Sequence, residues 1–125
     1  MDINSWQAQL RKGSAELVVL SLLAGGERYG LEILEQAGGV LSDGSIYPLL
    51  TRLEKEGKVK ARWAMPGDAK IPRKYYRLTR EGAALVAEMQ RIWLEFSTFV
   101  SATLEEANDG KRAARAGRAI PLRSL

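Results

Sequence analysis

Residues 42–57, Ser42-Asp43-Gly44-Ser45-Ile46-Tyr47-Pro48-Leu49-Leu50-Thr51-Arg52-Leu53-Glu54-Lys55-Glu56-Gly57, hold the pattern on which the fold turns. Ser42 is a good helix N-cap, Ile46, Leu49 or Leu50, and Leu53 recur at helical intervals, and Gly57 is a stop. Immediately afterwards the period changes. Val59, Ala61 and Trp63 alternate with Lys58, Lys60 and Arg62, which is the two-residue period of a half-exposed strand. Met65-Pro66-Gly67-Asp68-Ala69 is turn chemistry, and Arg73-Lys74-Tyr75-Tyr76-Arg77-Leu78 reads as a second basic, aromatic strand able to pair with the first.

Upstream, Trp6, Leu10, Leu17, Val18, Leu20 and Leu22 have helical spacing without an intervening Pro, which predicts one or two helices ending at Ala24-Gly25-Gly26. Tyr29-Gly30 opens a shorter helical pattern through Leu31, Ile33, Leu34 and Ala37 that stops at Gly38-Gly39. Downstream, Thr79 caps a last helix with Glu81 in its first turn, expected to end near Asn108-Asp109-Gly110; roughly 28 residues make it about 42 Å long. The remainder, Lys111 to Leu125, has no sustained apolar period and is expected to be disordered in isolation. The predicted class is mostly α with a small β-hairpin: a winged helix-turn-helix over residues 1–79, a C-terminal dimerisation helix over 80–108 and a basic tail over 109–125.

Composition narrows the function. A chain of 125 residues with 46% hydrophobic content suits one compact domain. Cys and His are both absent, which removes thiolate chemistry, imidazole bases and the commonest transition-metal ligands. No phosphate-binding Gly loop, Gly-x-Ser-x-Gly elbow or Ser-x-x-Lys is present either, so neither an enzyme nor a cofactor or metal is expected. The longest apolar stretch, Leu17 to Leu23, is far short of the roughly 20 residues of a membrane span. Met1-Asp2-Ile3-Asn4 lacks the basic and apolar regions of a secretory signal, and a cytoplasmic location is the expectation. The net charge of +4 is unevenly spread: residues 52–80 carry ten Lys/Arg against three acids, and the segment from Asn108 carries five against Asp109.

The outward side of the helix at 42–57 presents Gly44, Tyr47, Pro48, Thr51 and Lys55. A tyrosine near a helix N-terminus can pack on sugar or a thymine methyl, and Ser42 and Ser45 can donate to phosphate. A second reading stays open, in which Tyr47 packs on the preceding helix and the serines only cap. Lys70, Arg73 and Lys74 around Ile71-Pro72 can reach phosphates or the minor groove, unless they are simply solvated. On the last helix, Leu85, Met89, Ile92, Phe96 and Phe99 follow a four-three-four-three spacing, and Val86, Trp93, Val100 and Leu104 widen the apolar arc. Such an arc is a helix–helix seam, covered by the same helix of a second chain with Trp6 and Leu10, or else by intrachain core alone. Two-fold symmetry then implies a pseudo-palindromic DNA site. The competing class is a winged helix that binds another protein and never meets DNA.

Taken in order, Leu10-Arg11-Lys12-Gly13, Tyr29-Gly30 with Glu32-Ile33, Ser42-x-Gly44-Ser45-Ile46-Tyr47-Pro48-Leu49-Leu50, Arg52-Leu53-Glu54-Lys55-Glu56-Gly57 and Arg73-Lys74-Tyr75-Tyr76-Arg77-Leu78-Thr79 with Gly82 resemble the PadR family of bacterial transcriptional regulators. The resemblance spans about Leu10 to Leu104. It implies a homodimeric winged-helix repressor of double-stranded DNA whose release is triggered by a small aromatic effector. It also implies Ser45 and Tyr47 as DNA-facing, Lys70, Arg73 and Lys74 as wing contacts, and Trp93, with Phe96 beside it, as lining for a flat apolar ligand or as ordinary interface packing. The tip Ala64-Met65-Pro66-Gly67-Asp68-Ala69 and the Arg/Ala-rich tail depart from the family pattern.

Overall fold

The computed structural model describes residues 2–113, with side chains through Gly110. Among the described residues seven elements follow one another: α1 (Ile3–Ala24), β1 (Arg28–Tyr29), α2 (Gly30–Gln36), α3 (Asp43–Lys55), β2 (Val59–Ala64), β3 (Arg73–Leu78) and α4 (Arg80–Ala113). They fall into two compact units, one ending at Ala87 and one beginning at Glu88. The expectation for residues 114–125 lies outside the described residues.

Within the first unit, α1 is one continuous helix, started by Asp2, whose carboxylate accepts from the Ser5 N–H at 2.8 Å. Gly13 does not break it, since it is exposed and a mid-helix glycine costs only about 1 kcal/mol. The end of α3 satisfies its last carbonyls by a Schellman arrangement, with Gly57 N–H donating to Glu54 O at 3.1 Å and Lys58 N–H to Leu53 O at 2.9 Å. The core joins Val19, Leu20 and Leu23 of α1 to Ile33 of α2, Ile46, Leu50 and Leu53 of α3, Val59 of β2 and Val86 of α4, all at most 3% exposed. Of the two adjacent leucines in α3, Leu50 is the fully buried one and Leu49 sits at the margin. Each such burial contributes roughly 1.5–3 kcal/mol, enough for a small three-helix core.

The expected hairpin is present and gains a third strand. Antiparallel β2 and β3 pair from Val59↔Leu78 to Ala64↔Arg73, while β1 pairs with the other side of β3 through Arg28↔Tyr76 and Tyr29↔Tyr75. The sheet order is therefore β1-β3-β2. Thr79 joins the sheet to α4: its hydroxyl donates to Gly57 O at 2.6 Å and accepts from Gly82 N–H at 3.0 Å. Gly82 packs flat on the chain there, for a Cβ at this position would lie 2.0 Å from the Lys58 carbonyl oxygen. The helix α4 does not stop at Asn108-Asp109-Gly110, where its end is expected from the residue types, and instead runs on to Ala113.

Beyond Ala87, α4 is a helix with a long apolar side. Ile92 (51%), Trp93 (43%), Leu94 (64%), Phe96 (45%) and Leu104 (59%) retain much of their surface, and Met89, Phe99 and Val100 are half-buried. Its polar side is laced by Arg91, which bridges Glu88 at 2.6 Å and Glu95 at 3.0 Å. Among the described residues no helix is long and apolar enough to cross a membrane.

Candidate nucleic-acid interface

The helix α3 buries one side and leaves the other uncovered. Ile46, Leu50 and Leu53 point inward, whereas Gly44, Tyr47, Pro48, Thr51 and Lys55 are exposed, as the spacing predicts, and Ser42 and Ser45 are exposed beside them. Pro48 lacks the N–H that would bond the Gly44 carbonyl, and both residues lie on this exposed side. The two serines are engaged with each other: Ser42 N–H donates to Ser45 Oγ at 2.9 Å and Ser45 Oγ donates to Ser42 O at 3.1 Å. They form the start of α3, so the capping reading describes their contacts here.

Tyr47 is 51% exposed and also seated. A Cβ on Gly30 would come within 2.8 Å of Tyr47 Cε1, so the ring lies over the first residue of α2. One edge of Tyr47 thus packs on α2, and half of the residue's surface remains free. A large amphipathic ring held this way loses little rotamer freedom on binding.

Two clefts flank α3. One, about 780 Å³, lies toward α1 and is lined by Arg11, Lys12, Ser42, Ser45, Pro48 and Arg52 among others. The other, about 820 Å³, lies toward the hairpin, with Tyr47 and Thr51 on one wall and Trp63, Lys70, Arg73, Lys74 and Tyr76 opposite. Arg11 and Lys12 are not singled out as nucleic-acid contacts by the sequence. Their adjacency in a polar turn of α1 is the only signal, and it acquires meaning once α1 is seen beside the start of α3.

The cations differ in availability. Arg52 is tied to Glu16 at 2.7 Å and Glu56 at 3.1 Å, Arg62 to Glu27 at 2.5 Å, and Lys58 to Glu56 at 3.8 Å. The Arg62 hydrogen bonds hold the Glu27 carboxyl below its usual range. Lys74 leans on Glu54 at 3.5 Å and lies 5.5 Å from the Tyr76 ring, so it links the hairpin to α3. Arg73 stacks over the Tyr29 ring at 4.5 Å. Lys55, Lys60, Lys70, Arg11 and Lys12 form no ion pair among the described residues, and all five are exposed. Burial pushes the Tyr76 phenol up, keeping it a neutral hydrogen-bonding group.

Three helices with an uncovered α3 face, followed by a basic hairpin, define the winged helix-turn-helix class of DNA-binding proteins. The chain belongs to the Transcriptional regulator PadR-like family, whose model matches residues 19–88. It is similar to a PadR-like transcriptional regulator of Bacillus cereus, at 34% identity over 77% of this chain and 96% of that one, with a TM-score of 0.69. A Streptococcus transcriptional regulator is 35% identical over 75% of this chain and 95% of its own, with a TM-score of 0.67. An uncharacterized protein of Lysinibacillus sphaericus is 26% identical over 79% of this chain and 95% of its length. Members of the family are transcriptional regulators, not enzymes.

Proposed function

We propose that the chain is a cytoplasmic homodimeric repressor that binds a pseudo-palindromic operator and releases it when a small aromatic effector binds. The observation that carries the DNA-reading part is the placement of exposed Tyr47 and Thr51 on α3 between two clefts lined by cations. In this reading Tyr47 and Thr51, with Gly44 and Pro48 beside them, meet base edges and sugars in the major groove. Ser42 and Ser45 present the helix start to phosphate, while Lys70, Arg73 and Lys74 supply phosphate affinity from the hairpin, joined by Arg11 and Lys12 from α1.

Dimerisation is supported by the exposed apolar side of α4. Met89, Ile92, Phe96 and Phe99, preceded by Leu85, form a seam, and Trp93 and Val100 lie beside it. Trp6 and Leu10 of α1, 47% and 48% exposed, belong to the same proposed interface. Phe96 within that seam and Trp93 beside it are the proposed effector contacts.

The test is binding to duplexes from upstream of the protein's own and neighbouring genes, and to a random duplex, at several salt concentrations. Tight, salt-sensitive binding to one upstream duplex, weakened by an aromatic acid, is expected. Equal, weak binding to all duplexes would sink the regulator reading in favour of a protein-interaction module.

A further inference from the structure

We infer that the cleft between α3 and the β2–β3 hairpin is itself a binding site for a small planar aromatic anion, and that the occupied cleft cannot engage DNA. The second half of this statement rests on the proposed DNA face; the first half does not.

The cleft measures about 820 Å³, inside the ~300–1,000 Å³ range of small-molecule sites. Its walls pair rings with cations. Tyr47 stands on α3, and Trp63 and Tyr76 stand on the sheet face that continues outward from buried Val59. Trp63 is opposite Lys74 in the strand register and is 67% exposed, an unusual amount of indole to leave to water in a small core-building chain. Ile71, 71% exposed, lines the same space from the hairpin connection.

The charge balance sets the ligand's sign. Lys70, Arg73 and Lys74 line the cleft against a single acid, Asp68. Arg73 is engaged by Tyr29 and Lys74 by Glu54, which leaves exposed Lys70 as the cation ready to receive a carboxylate or sulfonate. Rings and an unpaired cation lining one cleft recognise a flat aromatic ring bearing one anionic group. A larger aliphatic acid lacks the stacking, and a neutral aromatic lacks the ion pair.

Such a ligand occupies the space in front of Tyr47 and Thr51 and neutralises Lys70. Competition with DNA is then direct, unlike the action of an effector at Trp93 and Phe96, which works from a distance. The two mechanisms differ in a measurable way. A directly competing ligand raises the apparent DNA Kd in proportion to its concentration without limit, whereas a distant effector reaches a plateau set by its coupling.

The experiment uses the full chain and 2-naphthoate as probe, with 2-naphthamide and cyclohexanecarboxylate as neutral and non-aromatic controls. Binding is followed by tryptophan quenching in the wild type, Trp63→Phe and Trp93→Phe, and by nuclear Overhauser effects between naphthoate protons and the Ile71 methyls in the wild type. The expected result is a component of the quenching lost in Trp63→Phe and kept in Trp93→Phe, Overhauser effects at Ile71, and at least tenfold weaker binding of both controls in that component. Lys70→Ala, an exposed change, should weaken naphthoate at least fivefold and leave the amide unchanged. Quenching unchanged in Trp63→Phe, absence of Overhauser effects at Ile71, or equal binding of the controls overturns the site. A plateau in the DNA competition overturns exclusion alone. Absence of DNA binding before any ligand is added refutes the regulator reading, and the quenching still decides the site.

Discussion

Two glycines show how a single missing Cβ serves opposite ends. At Gly82 an added methyl collides with the Lys58 carbonyl, an atom of the backbone that cannot swing aside. Gly82→Ala should therefore destabilise the fold by about 1–3 kcal/mol or more, read as a lowered urea midpoint. At Gly30 the neighbour is the ring of Tyr47, the end of a side chain that is half exposed. Gly30→Ala should leave the melting temperature nearly unchanged and yet imitate Tyr47→Ala, lowering discrimination between operator and random duplex while nonspecific affinity persists. Equal weakening on both duplexes would make Tyr47 a positioning residue rather than a reader. The outward placement of Tyr47 is legible in the sequence because helical spacing decides which residues of α3 face away from Ile46, Leu50 and Leu53. Its seat on Gly30 is not, since that packing joins two helices across an intervening turn and leaves no mark in local spacing.

Among the elements, α3 and the β2–β3 hairpin are the most legible, because the apolar period changes from helical to two within three residues of Gly57. The strand β1 is hidden: Arg28 and Tyr29 are only two residues, too few for any period, and they are strand only because β3 offers them a free edge. The end of α4 escapes sequence reasoning for a related cause, as Gly110 carries a modest helix penalty that a helix of 34 residues absorbs. For the hairpin, replacing Lys70, Arg73 and Lys74 by Ala should weaken all DNA binding and flatten the slope of log K against log salt by about 0.9 for each phosphate no longer neutralised. An unchanged slope would remove the hairpin from the DNA face. The Arg62–Glu27 bridge ties β2 to the segment before β1 and gives that region a pH dependence. Because Glu27 is held below its usual range, its contribution is complete above the ordinary carboxylate pKa and fades as pH falls through the lowered value. Melting curves of the wild type and Glu27→Gln should differ by a few degrees at most at neutral pH and converge in strong acid, below the lowered value.

At the scale of the whole molecule, the overall charge of +4 misleads in both directions. Arg52, Lys58, Arg62 and Lys74 are partnered by acids, some from distant parts of the chain, which no count along the sequence reveals. What remains is a smaller set of cations placed on either side of α3. The dimer proposal is likewise a statement about the molecule: Phe96→Glu would put an unpaired charge in the α4 seam and should yield monomer or aggregate by sedimentation. A soluble dimer of that variant would refute the seam. The order β1-β3-β2 has a consequence for the chain as it is made. The strand synthesised last is the one in the middle, so β1 and β2 leave the ribosome with no partner and must wait for Tyr75 and Tyr76 to emerge. A nascent chain halted before Arg73 therefore carries α1, α2 and α3 but neither the wing nor α4.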